Sequence, residues 1–90
     1  MINVIYFSAP WCGPCRTFGP VMEKVAEHFS ENSLVEITKV NADEDPDTAA
    51  LHGIRSIPAL VYLKDSETAY QSVGVKAQAD IIEKINELLA

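Results

Sequence analysis

Trp11-Cys12-Gly13-Pro14-Cys15 holds both cysteines of a 90-residue chain. Two cysteines separated by two residues can close a small ring if the backbone bends sharply. Ahead of them, Ile2 to Phe7 is β-branched and aromatic and apolar on both faces, which predicts a strand buried inside a sheet. Ser8-Ala9-Pro10 ends that run. Behind them, a helical pattern extends from Cys12 to Phe29, with Phe18, Met22, Val25, Ala26 and Phe29 forming one apolar stripe. The cysteines therefore lie where a strand hands over to a helix. Cys12 falls at the helix start, where unpaired N–H groups and the helix dipole favour negative charge. A thiolate is the reactive form, and cysteines so placed have pKa values lowered from about 8.5 to roughly 3.5–7.5. Cys15, about one turn further in, is predicted to be less exposed and to act as the resolving thiol. Gly13 permits the tight approach, and Pro14 in the first turn costs no helical hydrogen bond. This pattern predicts thiol–disulfide exchange, with Cys12 attacking a substrate disulfide and Cys15 resolving the mixed disulfide.

Two other uses of the pair compete with this one. A structural zinc site normally needs four Cys or His ligands. Only His28 and His52 remain, and no local pattern pairs them with the cysteines. A structural disulfide across so short a loop constrains the unfolded chain little.

Composition narrows the class. Ninety residues predict one domain spanning 1–90. Surface scaling gives about 64% of the chain's surface buried on folding, enough for a single thin core. Hydrophobic residues make up 48% and charged residues 22%, which excludes simple disorder. Seven basic against thirteen acidic residues give a net charge of −6, which repels phosphate backbones and argues against nucleic acid as a partner. No apolar run is long enough for a membrane span. Met1 to Phe7 lacks a basic, signal-like start, so a cytoplasmic location is expected.

Elsewhere the punctuation is clear. Pro20 sits inside the first helical pattern and predicts a kink. Ser30 to Ser33 is a polar turn. Leu34 to Val40 reads as a second strand. Asp45 caps a short helix with Pro46 at its first position, and Gly53 stops it. Ala59 to Leu63 and Glu67 to Val73 read as strands joined by a turn at Lys64-Asp65-Ser66. Ala77 to Leu89 is a helix with Ile81, Ile82, Ile85, Leu88 and Leu89 on one side. The order β-α-β-α-β-β-α predicts an α/β fold. Its four-stranded mixed sheet has a parallel first pair, an antiparallel last hairpin and three flanking helices.

With these residues in view, nearly the whole chain resembles the thioredoxin family. Trp11-Cys12-Gly13-Pro14-Cys15 matches the family's active-site motif residue for residue. Pro20 is similar to the proline that bends its active-site helix. Gly53-Ile54-Arg55-Ser56-Ile57-Pro58 resembles the segment ending in a cis-proline, and Val73-Gly74 a third substrate-facing loop. Lys39-Val40-Asn41-Ala42-Asp43 resembles the strand that ends near the buried thiol. The resemblance implies a thioredoxin fold and protein-disulfide reductase activity. It implies no cofactor beyond a redox-active Cys12–Cys15 disulfide, and no metal. Electrons would come from thioredoxin reductase, and a monomer acting on disulfide-containing proteins is expected. Trp11, Ile57, Pro58, Val73 and Gly74 would face substrate; Gly13, Pro14, Lys39 and Tyr6 would support the site.

Two departures stand out. The family's extra strand and helix before the active-site strand have no counterpart here, which predicts an altered sheet edge. Tyr6 stands where the family carries a buried aspartate. A phenol with a pKa of about 10 is no base at neutral pH, so Tyr6 is expected as a hydrogen-bond donor or core filler. Lys39 is expected to adjust the local field. Two rival readings are a glutathione-coupled enzyme of glutaredoxin type, which usually has Pro-Tyr between the cysteines, and a non-catalytic docking subunit on the same fold. The acidic cluster Asp43, Glu44, Asp45 and Asp47 reads as a solvated face.

Overall fold

Residues Ile2–Ser8 form β1, buried along almost its whole length. The computed structural model describes residues 1–90 and continues with α1 (Gly13–His28), β2 (Val35–Asn41) and α2 (Pro46–Leu51). Strands β3 (Ala59–Lys64) and β4 (Glu67–Val73) and helix α3 (Gln78–Leu89) complete the predicted order. The strands form one four-stranded sheet in the order β2-β1-β3-β4. β1 pairs parallel with β2, and the other two pairings are antiparallel.

Alternation along β1 and β3 divides the core in two. Ile2, Val4, Tyr6, Leu60 and Tyr62 face α1 and α3, meeting Phe18, Met22, Val25, Ile81 and Ile85. Ile5, Phe7, Ala59 and Val61 face the other way, against Ala49 of α2. Central strands buried on both faces explain why β1 reads as a continuous apolar run. The edge strand β2 is only half-buried, and it begins one residue later than expected. Leu34 lies outside it and is 55% exposed.

Local chemistry sets the ends. Asp45 caps α2, its carboxylate accepting from the Thr48 N–H at 3.1 Å and the Thr48 hydroxyl at 2.6 Å. Gly53, at φ +69°, follows the C-cap and turns the chain where other residues are strained. α1 stays helical through Pro20, whose missing N–H leaves the Arg16 carbonyl without its usual partner. Asp65 and Ser66 both take positive φ, the backbone of a two-residue hairpin turn matched to the sheet's twist.

Two outcomes test this packing. Phe18 is fully buried and its ring lies 5.4 Å from that of Tyr6. Phe18→Ala should cost about 3–5 kcal/mol in urea unfolding. The Asp45 carboxyl is held below its ordinary value of 3.8, first by the Thr48 hydroxyl and then by the Thr48 N–H. Such a group stabilises the fold above its ordinary pKa, and the contribution is lost as pH falls through the lower folded value. Asp45→Asn should therefore flatten the acid limb of the stability curve measured by thermal unfolding against pH.

Candidate active site

The end of β1 and the start of α1 are joined by Ala9 to Cys12, with the Cys12 N–H closing a turn onto the Ala9 carbonyl at 3.1 Å. This turn sets Cys12 as the N-cap of α1. Its sulfur accepts the Cys15 N–H at 3.2 Å, the place an oxygen takes in an ordinary capping residue. Cys12 and Cys15 are joined as a disulfide with their Cα atoms 5.2 Å apart. The first turn of α1 carries no acidic residue, so nothing there opposes a negative charge on sulfur.

The predicted difference in burial between the cysteines is not observed. Cys12 is 4% exposed and Cys15 is 5% exposed. Closing the ring packs both sulfurs with Ala9 under Ile57. The burial is shallow, because Trp11, Gly13 and Pro14 around Cys12 are all exposed.

The other expected site residues arrive from distant segments. The Ile57–Pro58 bond is cis. Pro58 is buried, and its carbonyl accepts from the Gly74 N–H at 2.8 Å, which ties the Val73-Gly74 turn to the cis-proline segment. Val73 is 58% exposed beside it. Trp11 is 67% exposed, yet its indole N–H donates to the Asp43 carboxylate at 2.6 Å. The sequence puts Asp43 in a solvated acidic cluster and at the end of the Lys39-Val40-Asn41-Ala42-Asp43 stretch, and neither reading pairs it with Trp11. The signal for its position is the parallel register, which sets Ser8 against Asn41 and so brings both strand exits together.

Tyr6 is both donor and core filler. Its ring belongs to the cluster under α1, and its hydroxyl donates to the Cys15 carbonyl at 3.0 Å. Burial pushes its pKa up, against a smaller opposing effect of the Ser8 hydroxyl, so it stays protonated at neutral pH. Lys39 pairs with Tyr6 in the sheet register and borders the same cavity as Tyr6 and Cys15. No group of three or more His, Cys, Asp or Glu side chains gathers as a metal site.

The thioredoxin family model matches residues 1–87. The chain belongs to the thioredoxin family. It is similar to thioredoxin 1 of Synechococcus elongatus, 38% identical over 96% of this chain and 78% of that protein. It is 40% identical to the thioredoxin of Bacillus subtilis over 92% of this chain and 78% of the relative. Among solved structures it resembles a mutant thioredoxin from Halobacterium salinarum, with a TM-score of 0.88 at 29% identity, covering 99% of this chain and 75% of that one. The architecture is the thioredoxin fold, and with its CxxC disulfide the protein is a thiol–disulfide oxidoreductase. Family membership implies a disulfide reductase and disulfide-bearing substrates as partners in general terms.

Trp11 is the only tryptophan, so its emission reports the Asp43 bond directly. Asp43→Ala should lower the fluorescence anisotropy of Trp11 and change its intensity. An unchanged signal would mean that the carboxylate does not hold the indole.

Proposed function

We propose that this chain is a general protein-disulfide reductase in which Cys12 is the attacking thiolate and Cys15 the resolving thiol. The observation that carries this reading is the Cys12 sulfur at the N-cap of α1, accepting the Cys15 N–H. In the reduced protein the same N–H and the helix dipole favour the thiolate over the thiol. Cys12 attacks a substrate disulfide and forms a mixed disulfide; Cys15 then displaces the substrate sulfur.

Substrate docks on the surface formed by Trp11, Ile57, Pro58, Val73 and Gly74, with Gly13 and Pro14 leaving the approach to Cys12 open. Trp11 and Val73 offer exposed apolar area, and backbone groups beside Pro58 suit an extended peptide. Tyr6 and Lys39 support the site from beneath Cys15. Residues 1–90 act as one domain and as a monomer. Electrons come from an NADPH-fed thioredoxin reductase, and the disulfide itself is the only redox group. A cytoplasmic setting suits this cycle; no helix is long and apolar enough to cross a membrane.

Cys12→Ser should abolish reduction of a model protein disulfide in a reductase-coupled assay. Cys15→Ser should instead accumulate a covalent substrate adduct on Cys12. Full turnover by Cys12→Ser would overturn the reading and favour a docking role. Turnover only when glutathione replaces the reductase would move the protein to glutathione-coupled chemistry.

A further inference from the structure

A second cavity, of about 250 Å³, opens between β3, β4 and α3 at the outer edge of the sheet. It shares no residue with the cavity that Cys15 borders. Tyr62 and Tyr70 pair across β3 and β4, and Ser72 follows Tyr70 on the same face. Tyr62 and Ile81 are almost fully buried and form the inner wall. Lys76, Asp80 and Lys84 border the cavity from the α3 side. We propose that this cavity binds a small organic monocarboxylate, with its carboxylate taken by the Ser72 hydroxyl and the Lys76 ammonium.

Ser72 carries the observation that calls for a ligand. Its Oγ is buried and has no hydrogen-bond partner, the one buried side-chain oxygen or nitrogen left so. Such a group is costly to leave unpaired, and native folds pair nearly all of them. Because Ser72 lines the cavity, an acceptor seated there supplies the missing bond.

The neighbouring groups decide the sign of the ligand. Lys84 is already engaged, with its ammonium 4.3 Å from the centre of the Tyr70 ring and 3.3 Å from the Glu87 carboxylate. Asp80 lies in the first turn of α3, where the free N–H groups of the helix offset its charge. The chain's two ion pairs are Met1–Asp65 and Lys84–Glu87, so Lys76 has none. Burial, and secondly the Tyr70 phenol, push the Tyr62 pKa up to about 12, which keeps its hydroxyl protonated at neutral pH. The Ser72 hydroxyl and the Lys76 ammonium both donate, and a carboxylate accepts from both. Asp80 sets the limit on charge, since a dianion such as phosphate meets stronger repulsion from its carboxylate.

The walls set the body of the ligand. The Tyr62 and Tyr70 rings lie 5.6 Å apart and, with Ile81, offer apolar surface. An apolar cavity of about 150 Å³ holds benzene. A volume of about 250 Å³ therefore takes a ring of that size with a carboxylate attached. The inference is independent of the roles proposed for Cys12 and Cys15.

Benzoate is the probe, with benzamide and benzylammonium as its neutral and cationic counterparts. Titration followed by amide NMR should give saturable shifts centred on Ser72, Lys76 and Asp80 with benzoate. Benzamide should bind about fivefold more weakly or worse, and benzylammonium should not saturate. Lys76→Gln should weaken benzoate about threefold, the scale of a solvent-exposed ion pair, and leave benzamide unchanged. Ser72→Ala should weaken benzoate about tenfold, because a buried hydrogen bond to a charged group is lost. That variant removes a hydroxyl with no partner, so its urea midpoint should not fall, and its lost binding is then not lost folding. Asp80→Asn should tighten benzoate binding. Shifts that do not saturate or that centre on Trp11 overturn the inference. So does equal binding of benzamide or of inorganic phosphate, or benzoate affinity that none of the three substitutions changes.

Discussion

The bond from the Cys15 N–H to the Cys12 sulfur is the constraint on which the site depends. It needs a helix that starts at Cys12, and that start needs a strand ending a few residues earlier. β1 supplies the end, and the turn onto the Ala9 carbonyl supplies the change of direction. One free donor at the front of α1, the Cys15 N–H, then faces sulfur rather than water. A capping residue normally stabilises its helix through oxygen. Here the helix stabilises its capping residue, and the reactivity of the pair follows from that reversal.

Register carries the remaining positions into place. The parallel match of β1 with β2 brings Lys39 beside Tyr6 and Asn41 beside Ser8, so the exits of both strands meet next to the cysteines. The antiparallel match of β3 with β4 sets Val73 against Ala59, and the Gly74 N–H reaches the Pro58 carbonyl from there. A slip of one residue in either pairing would turn side chains to the opposite face. The two apolar clusters make such a slip costly, because the central strands β1 and β3 bury side chains on both sides. Core packing and site geometry are therefore one constraint.

What was legible in the sequence was local. The apolar run of β1, the stripe on α1, the Asp45 cap and the bounds of β4 all arise from neighbouring residues, and each appears where its pattern places it. The cysteine pair was legible for the same reason. The bond from Trp11 to Asp43 was not, since 32 residues separate partners that meet only through sheet register. Nor was the equal burial of the two cysteines, which Ile57 imposes from another segment. The resemblance pointed to the cis-proline segment, which no nearby residue could have indicated.

Tyr6 shows how closely the core and the chemistry are joined. A carboxylate at this position would need a partner or would take up a proton, because burial penalises charge. A phenol avoids that penalty and adds apolar area against Phe18. It also keeps a donor for the Cys15 carbonyl, fixing the first turn of α1 from below. The consequence is electrostatic. No carboxylate lines the cavity beside Cys15, where Arg16 and Lys39 bring positive charge to a chain of net charge −6.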